Sequence, residues 1–160
     1  MEQETAAPDW RSRLAALWAE GIPLATAMEV EIGRLDEEML VLVAPLAPNR
    51  NHMGTAFGGS LQGIAILAGW GVTLMAVPQG AQHVIIRHAQ MRFIEPVSGE
   101  LRAEAEMPSP GAVAAFRTTL ARQGHARLTV PVVIRGPAES VAARFVGEFV
   151  AFVASVNSPG

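Results

Sequence analysis

The sequence predicts an α+β fold in which one long helix is buried inside a curled antiparallel sheet of about six to seven strands. No residue between Met53 and Val77 is charged, so a helix formed there is apolar on every side. The flanking segments alternate between apolar and polar residues, as half-buried strands do. Hydrophobic residues make up 50% of the 160-residue chain, which is enough to build a core around that helix. A helix that is apolar all round is expected where a sheet wraps it.

A short amphipathic helix is predicted at residues 8–20. Leu14, Leu17 and Trp18 lie three and four positions apart and therefore share one helix face. Gly21 and Pro23 are expected to stop this helix.

Two strands and the long helix are predicted next. Residues 26–35 alternate like a strand, and residues 39–45 predict a second, more buried strand. Thr55 or Gly58 begins the long helix, which ends near Ala76. Each glycine in it lowers the helix propensity by about 1 kcal/mol relative to alanine. These glycines are understandable if the backbone of a sheet or of a partner approaches the helix closely.

Only strands are predicted after the long helix, with no second helix. The five predicted strands span residues 83–96, 101–107, 112–122, 125–135 and 141–153. Gln123 and Gly124 are interpreted as the tight reversal between the third and fourth of these strands. Pro131 has no backbone N–H, which predicts a sheet edge or a bulge at its position.

The composition excludes several classes of chemistry. There is no cysteine and no lysine, so disulfides, thiolate nucleophiles and lysine Schiff bases are ruled out. The formal net charge is −3 and no basic stripe is present, so nucleic acid is not an expected partner. The four histidines lack paired metal-ligand spacing, and no nucleotide-binding glycine motif occurs. We therefore expect no metal and no cofactor.

The uncharged stretch is also long enough to span a bilayer. Its six glycines and the single nearby cation, Arg50, argue against that alternative, and we expect no membrane span. The first nine residues have no cationic side chain and do not look like a secretory signal, so a cytoplasmic location is expected. We divide the chain into an N-terminal helix and tail (1–21), a main domain (22–154) and a disordered tail (155–160).

Residues 51–60 (NHMGTAFGGS) are the most informative segment for chemistry. A polar loop leads into a glycine pair, Gly58 and Gly59, at the start of the long helix. Helix N-termini expose unpaired N–H groups with partial positive charge, and glycine leaves these donors unshielded. A carbonyl bound there would be polarised, and a tetrahedral oxyanion would be stabilised. The same glycine pair is also expected where helix and sheet pack tightly, so the pattern leaves both interpretations open.

This segment resembles the helix start of hotdog-fold thioesterases, in which an asparagine precedes a Gly-Gly pair at the spacing of Asn51 and Gly58-Gly59. Residues 92–101 (RFIEPVSGEL) resemble the strand and Pro-Val turn of that family, and residues 147–149 resemble its last strand. More narrowly, GTAFGGS followed by LAGWG is similar to thioesterases of the YiiD C-terminal-domain type. The resemblance covers roughly residues 22–153.

The resemblance implies a hotdog fold that hydrolyses an acyl thioester of coenzyme A or of an acyl carrier protein. It also implies a homodimer or a dimer of dimers with the site at the subunit seam, and the open edges of a curled sheet favour the same assembly. Phe57 stands where the family's histidine usually lies, and Ile66 stands where its catalytic acid usually lies. The familiar mechanism is therefore not carried over, and the general base is unidentified.

Ten residues are candidates for the site. The catalytic candidates are Asn51, His52, Gly58, Gly59 and Ser60, and the substrate-binding candidates are Gly54, Thr55, Phe57, His88 and Arg92. In this hypothesis the glycine amides hold the carbonyl, and Asn51 with His52 positions water. Each polar candidate also has a structural interpretation, as a loop cap, a surface histidine, a first-turn hydroxyl or a solvent-facing strand residue. Two carboxylates, Glu95 and Glu148, are worth testing, and Arg50, Arg87 and Arg92 are candidates for binding coenzyme A phosphates.

The leading hypothesis is therefore an acyl-thioester hydrolase. The alternative is a non-catalytic acyl-binding or dimerisation module of the same fold. Phe57 and Ile66 favour that alternative, because an apolar tunnel without a base binds an acyl group but does not cleave it. An acyl hydratase is disfavoured, because no histidine–acid pair is placed to move two protons.

Overall fold

The computed structural model describes residues 8–78 and 82–153, so the predicted tail at residues 155–160 lies outside it. The elements are α1 (Trp10–Gly21), α2 (Pro23–Ala27), β1 (Glu31–Leu35), β2 (Met39–Ala44), α3 (Gly58–Ala76), β3 (Gln82–Phe93), β4 (Leu101–Glu106), α4 (Pro110–Gln123), β5 (His125–Arg135) and β6 (Val141–Val153). Two short 3-10 turns, Ala47–Asn49 and Pro137–Glu139, precede α3 and β6.

The six strands form one antiparallel sheet in the order β1-β2-β4-β5-β6-β3. One face of the sheet packs against α3, which is 19 residues long. Ala103 in β4, Ile134 in β5 and Phe145 in β6 are almost completely buried. This is the hotdog arrangement, and the predicted fold class is confirmed.

Two glycines, one in α3 and one in β6, make room for the ring of Phe149 between helix and sheet. A Cβ atom on Gly69 in α3 would lie 2.5 Å from Cε2 of Phe149, and one on Gly147 in β6 would lie 2.7 Å from the same atom. Real Cβ atoms do not approach other atoms that closely, because protein interiors are already close-packed. The glycine at position 69 is therefore a packing requirement, as we expected for glycines in this helix.

The uncharged character of α3 is explained by its surroundings. The helix is long and apolar enough to cross a membrane, but 61% of its most apolar 18-residue stretch is buried inside the protein. A helix wrapped by a sheet has no polar face to present, so the same composition suits a core helix.

The prediction of a strand at residues 112–122 is wrong, because this segment belongs to helix α4. Ser109 caps the helix by accepting a hydrogen bond from the N–H of Ala112 at 3.2 Å, and Pro110 occupies the first turn. Gly124, with φ of 75°, ends the helix rather than reversing a hairpin. A helix of 14 residues therefore lies after α3, where only strands were expected.

Helix α4 packs against the sheet and closes one end of α3. Phe116 and Leu120, four residues apart, are its buried side chains. That spacing is the helical signal that the strand interpretation overlooked. Arg117 Nε donates a hydrogen bond of 2.7 Å to the carbonyl of Ala76, the last residue of α3. A cation is favourable there, because the C-terminal end of a helix carries partial negative charge.

The N-terminal part of the chain differs in detail from the prediction. Helix α1 buries Leu14 and Trp18, whereas Leu17 remains 38% exposed. The strand predicted at residues 26–35 begins only at Glu31, because Pro23 starts the short helix α2. A proline at the first helical position already has a helical φ, so it starts this helix as readily as it stops the previous one.

The position of Pro131 agrees with the predicted sheet edge. Strand β4 pairs with only the second half of β5, and the last pair is Ala105 with Val132. Pro131 is the next residue of β5, so the residue without an N–H lies where the β4–β5 ladder stops.

Candidate functional site

A groove of about 330 Å³ opens beside the N-terminus of α3. It is lined by Asn51, Thr55, Ala56, Gly58, Leu61, Phe93, Ile94, Glu95 and Pro96. These residues come from the loop before α3, from its first turn and from the end of β3. Two segments far apart in sequence, 51–61 and 93–96, therefore build one concave surface.

The loop before α3 is closed by Asn51. Its side-chain oxygen accepts hydrogen bonds from the N–H of Met53 at 2.8 Å and of Thr55 at 3.2 Å. Its amide nitrogen donates to the hydroxyl of Thr55 at 3.0 Å. Gly54 takes a φ of 79°, which glycine adopts without strain. Asn51 thus stabilises its own turn, which is the structural role that the sequence left open.

A second asparagine, Asn49, ties this loop to the buried residues beneath it. The sequence analysis did not identify it as a site residue. It is 1% exposed, and its amide nitrogen donates to the carbonyls of Met28 at 2.9 Å and Pro45 at 2.8 Å. Its own carbonyl accepts from the N–H of Phe57 at 2.7 Å. Because Phe57 is the residue before α3, Asn49 links the start of the helix to the residues that its side chain holds. The sequence does not show which asparagine of a polar loop becomes buried, because that depends on contacts with distant residues.

The start of α3 carries unpaired backbone donors. The first bond of the helix runs from the N–H of Leu61 to the carbonyl of Phe57 at 3.0 Å. The preceding N–H groups, of Gly58, Gly59 and Ser60, have no acceptor among residues 8–78 and 82–153, and no side chain caps the helix. No acidic residue lies in its first turn. These donors and the helix dipole together favour an acceptor oxygen at the groove.

Two aromatic rings flank these donors. A Cβ atom on Gly59 would lie 2.5 Å from Cε1 of Phe57, and a Cβ atom on Gly58 would lie 3.4 Å from the ring of Phe93. Phe57 is 56% exposed and Phe93 is 54% exposed. The donors at the helix start therefore lie between exposed apolar surfaces, and the side chain of a larger residue at position 59 would displace the ring of Phe57.

The other loop candidates are not drawn into the groove. His52 is exposed in the turn that Asn51 closes, and it does not line the groove. Ser60 is half-buried in the first turn of α3, and its hydroxyl makes no hydrogen bond within the described chain. Arg50 is exposed in the same loop. Among the loop candidates, Asn51 and Thr55 reach the groove together with Gly58.

His88 and Arg92 lie on the other face of the sheet. His88 pairs with Glu148, and Arg92 pairs with Arg144, on neighbouring strands β3 and β6. Directly paired residues of two strands share a face, and the alternate residues of β6, such as Phe145 and Phe149, are buried on the opposite face, which packs against α3. The structure therefore does not bring His88 or Arg92 to the groove. Arg87, beside them, lies 3.8 Å from Oε1 of Glu148.

The two carboxylates selected from the sequence have different surroundings. Glu148 belongs to that outer face, where Arg87 and Arg127 both lie within 4 Å of its Oε1. Glu95 lines the groove, and its Oε1 accepts a hydrogen bond from the hydroxyl of Ser140. In the part of the chain that the structure describes, no group of three metal-ligating side chains is close enough to hold an ion.

A larger cavity, of about 530 Å³, lies between α1, α2 and β1. Trp18, Arg11 and Glu29 are among the residues around it. None of the ten candidate residues lines it, and the unpaired donors at the start of α3 lie elsewhere. We therefore assign the candidate site to the smaller groove, where unpaired donors and a carboxylate occur together.

Comparison with known proteins identifies related chains. The family model described as "Putative thioesterase (yiiD_Cterm)" matches residues 11–153. A protein of unknown function from Chlorobaculum tepidum has a TM-score of 0.84 at 27% identity, over 90% of this chain and 94% of that one. A "putative thioesterase" from Shewanella oneidensis has a TM-score of 0.73 at 25% identity, over 91% and 98%. A thioesterase from Haemophilus influenzae shares the fold, with a TM-score of 0.71 at 12% identity over 92% and 94%.

Proposed function

This chain belongs to the YiiD C-terminal family of thioesterases, whose model matches residues 11–153, and we propose that it hydrolyses acyl thioesters of coenzyme A or of an acyl carrier protein. The observation that carries this proposal is the uncapped start of α3 in an apolar groove. The N–H groups of Gly58 and Gly59 have no acceptor in the described chain, so they are free to bind the oxygen of a substrate.

The proposed chemistry follows from where charge develops. When water adds to the thioester carbonyl, the carbonyl oxygen becomes an oxyanion. The N–H of Gly58, at the positive end of the α3 dipole, would hold that oxyanion. A preorganised donor of this kind contributes about 3 kcal/mol to transition-state stabilisation. The intermediate then expels the thiol, which yields a carboxylic acid.

The apolar walls of the groove suit an acyl group. Leu61 lies on its floor, and Phe93 and Ile94 line one side with 54% and 51% of their surfaces exposed. Phe57, beside Gly59, is 56% exposed. Exposed apolar side chains gathered at one place are typical of a binding surface. We propose that they contact the acyl chain or a second subunit.

We propose a homodimer, or a dimer of such dimers, with two sheets paired through β3. This strand is 12 residues long, and it lies at one edge of the sheet with β6 as its only strand neighbour in the described chain. An open edge of this length is an aggregation hazard unless it is paired. The groove begins at Phe93, the last residue of β3, so a β3-paired partner would lie close to the site. A stable monomer at micromolar concentration in light scattering would contradict this assembly.

Proline at position 58 tests the proposed donor directly. Gly58→Pro removes the N–H that the oxyanion would use, and proline is favoured at the first position of a helix. Phe57 already has the extended conformation that precedes proline, with φ of −68° and ψ of 134°. Gly58→Ala is the matched control, because it keeps the N–H and its Cβ would make only ordinary contact with Phe93 at 3.4 Å.

The measurement is thiol release from a panel of acyl-coenzyme A esters and one acylated carrier protein. We expect the wild type to turn over at least one substrate, Gly58→Pro to lose about 10²- to 10³-fold in kcat, and Gly58→Ala to lose far less. If Gly58→Pro and Gly58→Ala were equally active, the N–H of Gly58 would not take part in catalysis. An inactive wild type that still binds an acyl thioester would instead identify a non-catalytic acyl-binding module, an alternative that Ile66 on α3 favours.

A further inference from the structure

The groove contains one carboxylate among the described residues, that of Glu95. We infer that Glu95 is the catalytic base that activates water for attack on the thioester, an assignment that rests on the proposed hydrolase function. Hydrolysis at neutral pH requires a group that removes a proton from water as it attacks. Glu95 provides that group from the loop after β3, not from the helix.

The backbone of Glu95 is held rigidly beside the helix start. The N–H groups of Ile94 and Glu95 both donate to the carbonyl of Ala142, at 2.8 Å and 3.1 Å. Two residues further on, the carbonyl of Val97 accepts from the N–H of Ala56 at 2.8 Å. The loop that carries Glu95 is therefore bonded to β6 on one side and to the residues before α3 on the other. Such support is what a catalytic side chain needs to keep its position.

The carboxylate itself is oriented by the connection between β5 and β6. Ser140 Oγ donates a hydrogen bond to Oε1 of Glu95. A Cβ atom on Gly136 would lie 2.5 Å from that same oxygen, so the absence of a side chain at position 136 leaves space for the carboxylate. The other oxygen, Oε2, has no hydrogen-bond donor within residues 8–78 and 82–153. It is free to accept a proton from water.

The remaining polar groups of the groove are not suited to this task. The amide of Asn51 is not basic, and the hydroxyl of Thr55 is engaged with it at 3.0 Å. His52 lies outside the groove. No arginine of the described chain forms an ion pair with Glu95, whereas Glu148 on the outer face lies near two arginines. Among the described residues, Glu95 is therefore the carboxylate that lines the groove and is not paired with a cation.

The step balances without any co-reactant. Glu95 Oε2 accepts a proton from water while the water oxygen forms a bond to the carbonyl carbon. The N–H of Gly58 stabilises the oxyanion that results. When the oxyanion collapses, the C–S bond breaks, and the departing sulfur takes the proton from Glu95. One thioester and one water give one carboxylic acid and one thiol, and Glu95 is again a carboxylate.

The test compares Glu95→Gln with Glu100→Gln. Glutamine keeps the size of the side chain and removes the base. Glu100 is an exposed glutamate further along the same loop that does not line the groove, so it controls for the loss of one charge. Thiol release should fall about 10²- to 10⁴-fold in kcat for Glu95→Gln, with little change in KM, and should be unchanged for Glu100→Gln. Binding of an S-alkyl-coenzyme A thioether, which has no scissile bond, should be retained by both.

The outcomes separate this inference from the proposed function. If the wild type is active and Glu95→Gln keeps its kcat within about threefold, Glu95 is not the base, and the hydrolase proposal stands. If the wild type cleaves no thioester of the panel, both proposals fail together. If Glu95→Gln does not fold, Glu95→Ala is assayed with added formate. A rate that rises with formate supports the base, and a flat response overturns it.

Discussion

The ring of Phe149 lies against Gly69, where a Cβ atom would come within 2.5 Å of ring atom Cε2 and 2.6 Å of Cζ. This contact joins the middle of α3 to β6, which pairs with β3 on one side and with β5 on the other. Glycine costs about 1 kcal/mol in a helix relative to alanine. The close approach of helix and sheet explains why a poor helix former lies in the centre of the core.

Gly69→Ala should destabilise the fold by about 1–3 kcal/mol, because the new methyl group overpacks the core against Phe149. The matched control is Gly63→Ala in the same helix. A Cβ atom there would meet only the flexible end of Met28, at 3.3 Å from its sulfur. This control should be neutral or slightly stabilising, because alanine is the better helix former. Urea unfolding of both variants measures the difference in stability. Equal unfolding midpoints of Gly69→Ala and Gly63→Ala would contradict the packing argument.

The same contact predicts coupling between the two positions. Phe149→Leu creates space in the core and alone should cost about 1–3 kcal/mol. In the double variant, the methyl group of Gly69→Ala fills part of that space. The double variant should therefore be more stable than the sum of the two single changes implies. A double-mutant cycle measured by urea unfolding tests this, and strict additivity would mean that the helix shifts instead.

Asn49→Ala should cost about 2 kcal/mol or more, because it leaves the carbonyls of Met28 and Pro45 without their buried donor. Asn51→Ala makes the same chemical change in a half-exposed turn, where water can replace the lost bonds. We expect it to cost less than about 1 kcal/mol. Thermal unfolding of the pair tests the ranking, and a larger loss in Asn51→Ala would show that the turn, not Asn49, positions the helix start.

Arg117→Ala should lower the free energy of unfolding by about 1 kcal/mol, because the carbonyl of Ala76 loses a charged donor at the end of α3. Arg122→Ala, which removes an arginine from the last turn of α4 itself, is the control. Urea unfolding should separate the two variants. If both behave alike, the link between α4 and α3 contributes nothing measurable to stability.

Acid should weaken the β1–β2 turn. The backbone N–H of Glu38 and the guanidinium of Arg34 hold the pKa of Asp36 below its ordinary value of 3.8. A lowered pKa in the folded state means that the stabilisation is present above 3.8 and is lost as pH falls through the folded value. In Asp36→Asn, the free energy of unfolding should therefore fall less steeply with decreasing pH below 3.8 than it does in the wild type. Glu37→Gln, an exposed neighbour, should keep the wild-type slope in urea titrations at each pH.

Much of the fold could be predicted because period-two alternation marks half-buried strands. β5 and β6 begin and end at the predicted residues, His125–Arg135 and Val141–Val153. The error at α4 arose because small alanine side chains satisfy both strand and helix patterns. The deciding features were the Ser109 cap and the spacing of Phe116 and Leu120, which were local signals available in the sequence.

The site could be predicted only in part. The glycine pair at the helix start was identified from local chemistry and from the family resemblance, and Asn51 and Thr55 do line the groove with Gly58. His88 could not be excluded from sequence, because alternation along β3 shows that residues share a face but not which face packs against α3. That choice depends on the pairing of β3 with β6.

The sequence by itself determined the long uncharged helix, most of the strands that surround it and the donors at its N-terminus, because these features depend on neighbours within a few residues. Only the tertiary structure decided which polar groups meet those donors. It placed Glu95 in the groove through contacts with residues more than forty positions away, including Ser140. Such contacts arise from the strand order of the sheet, and the local pattern around Glu95 does not specify them.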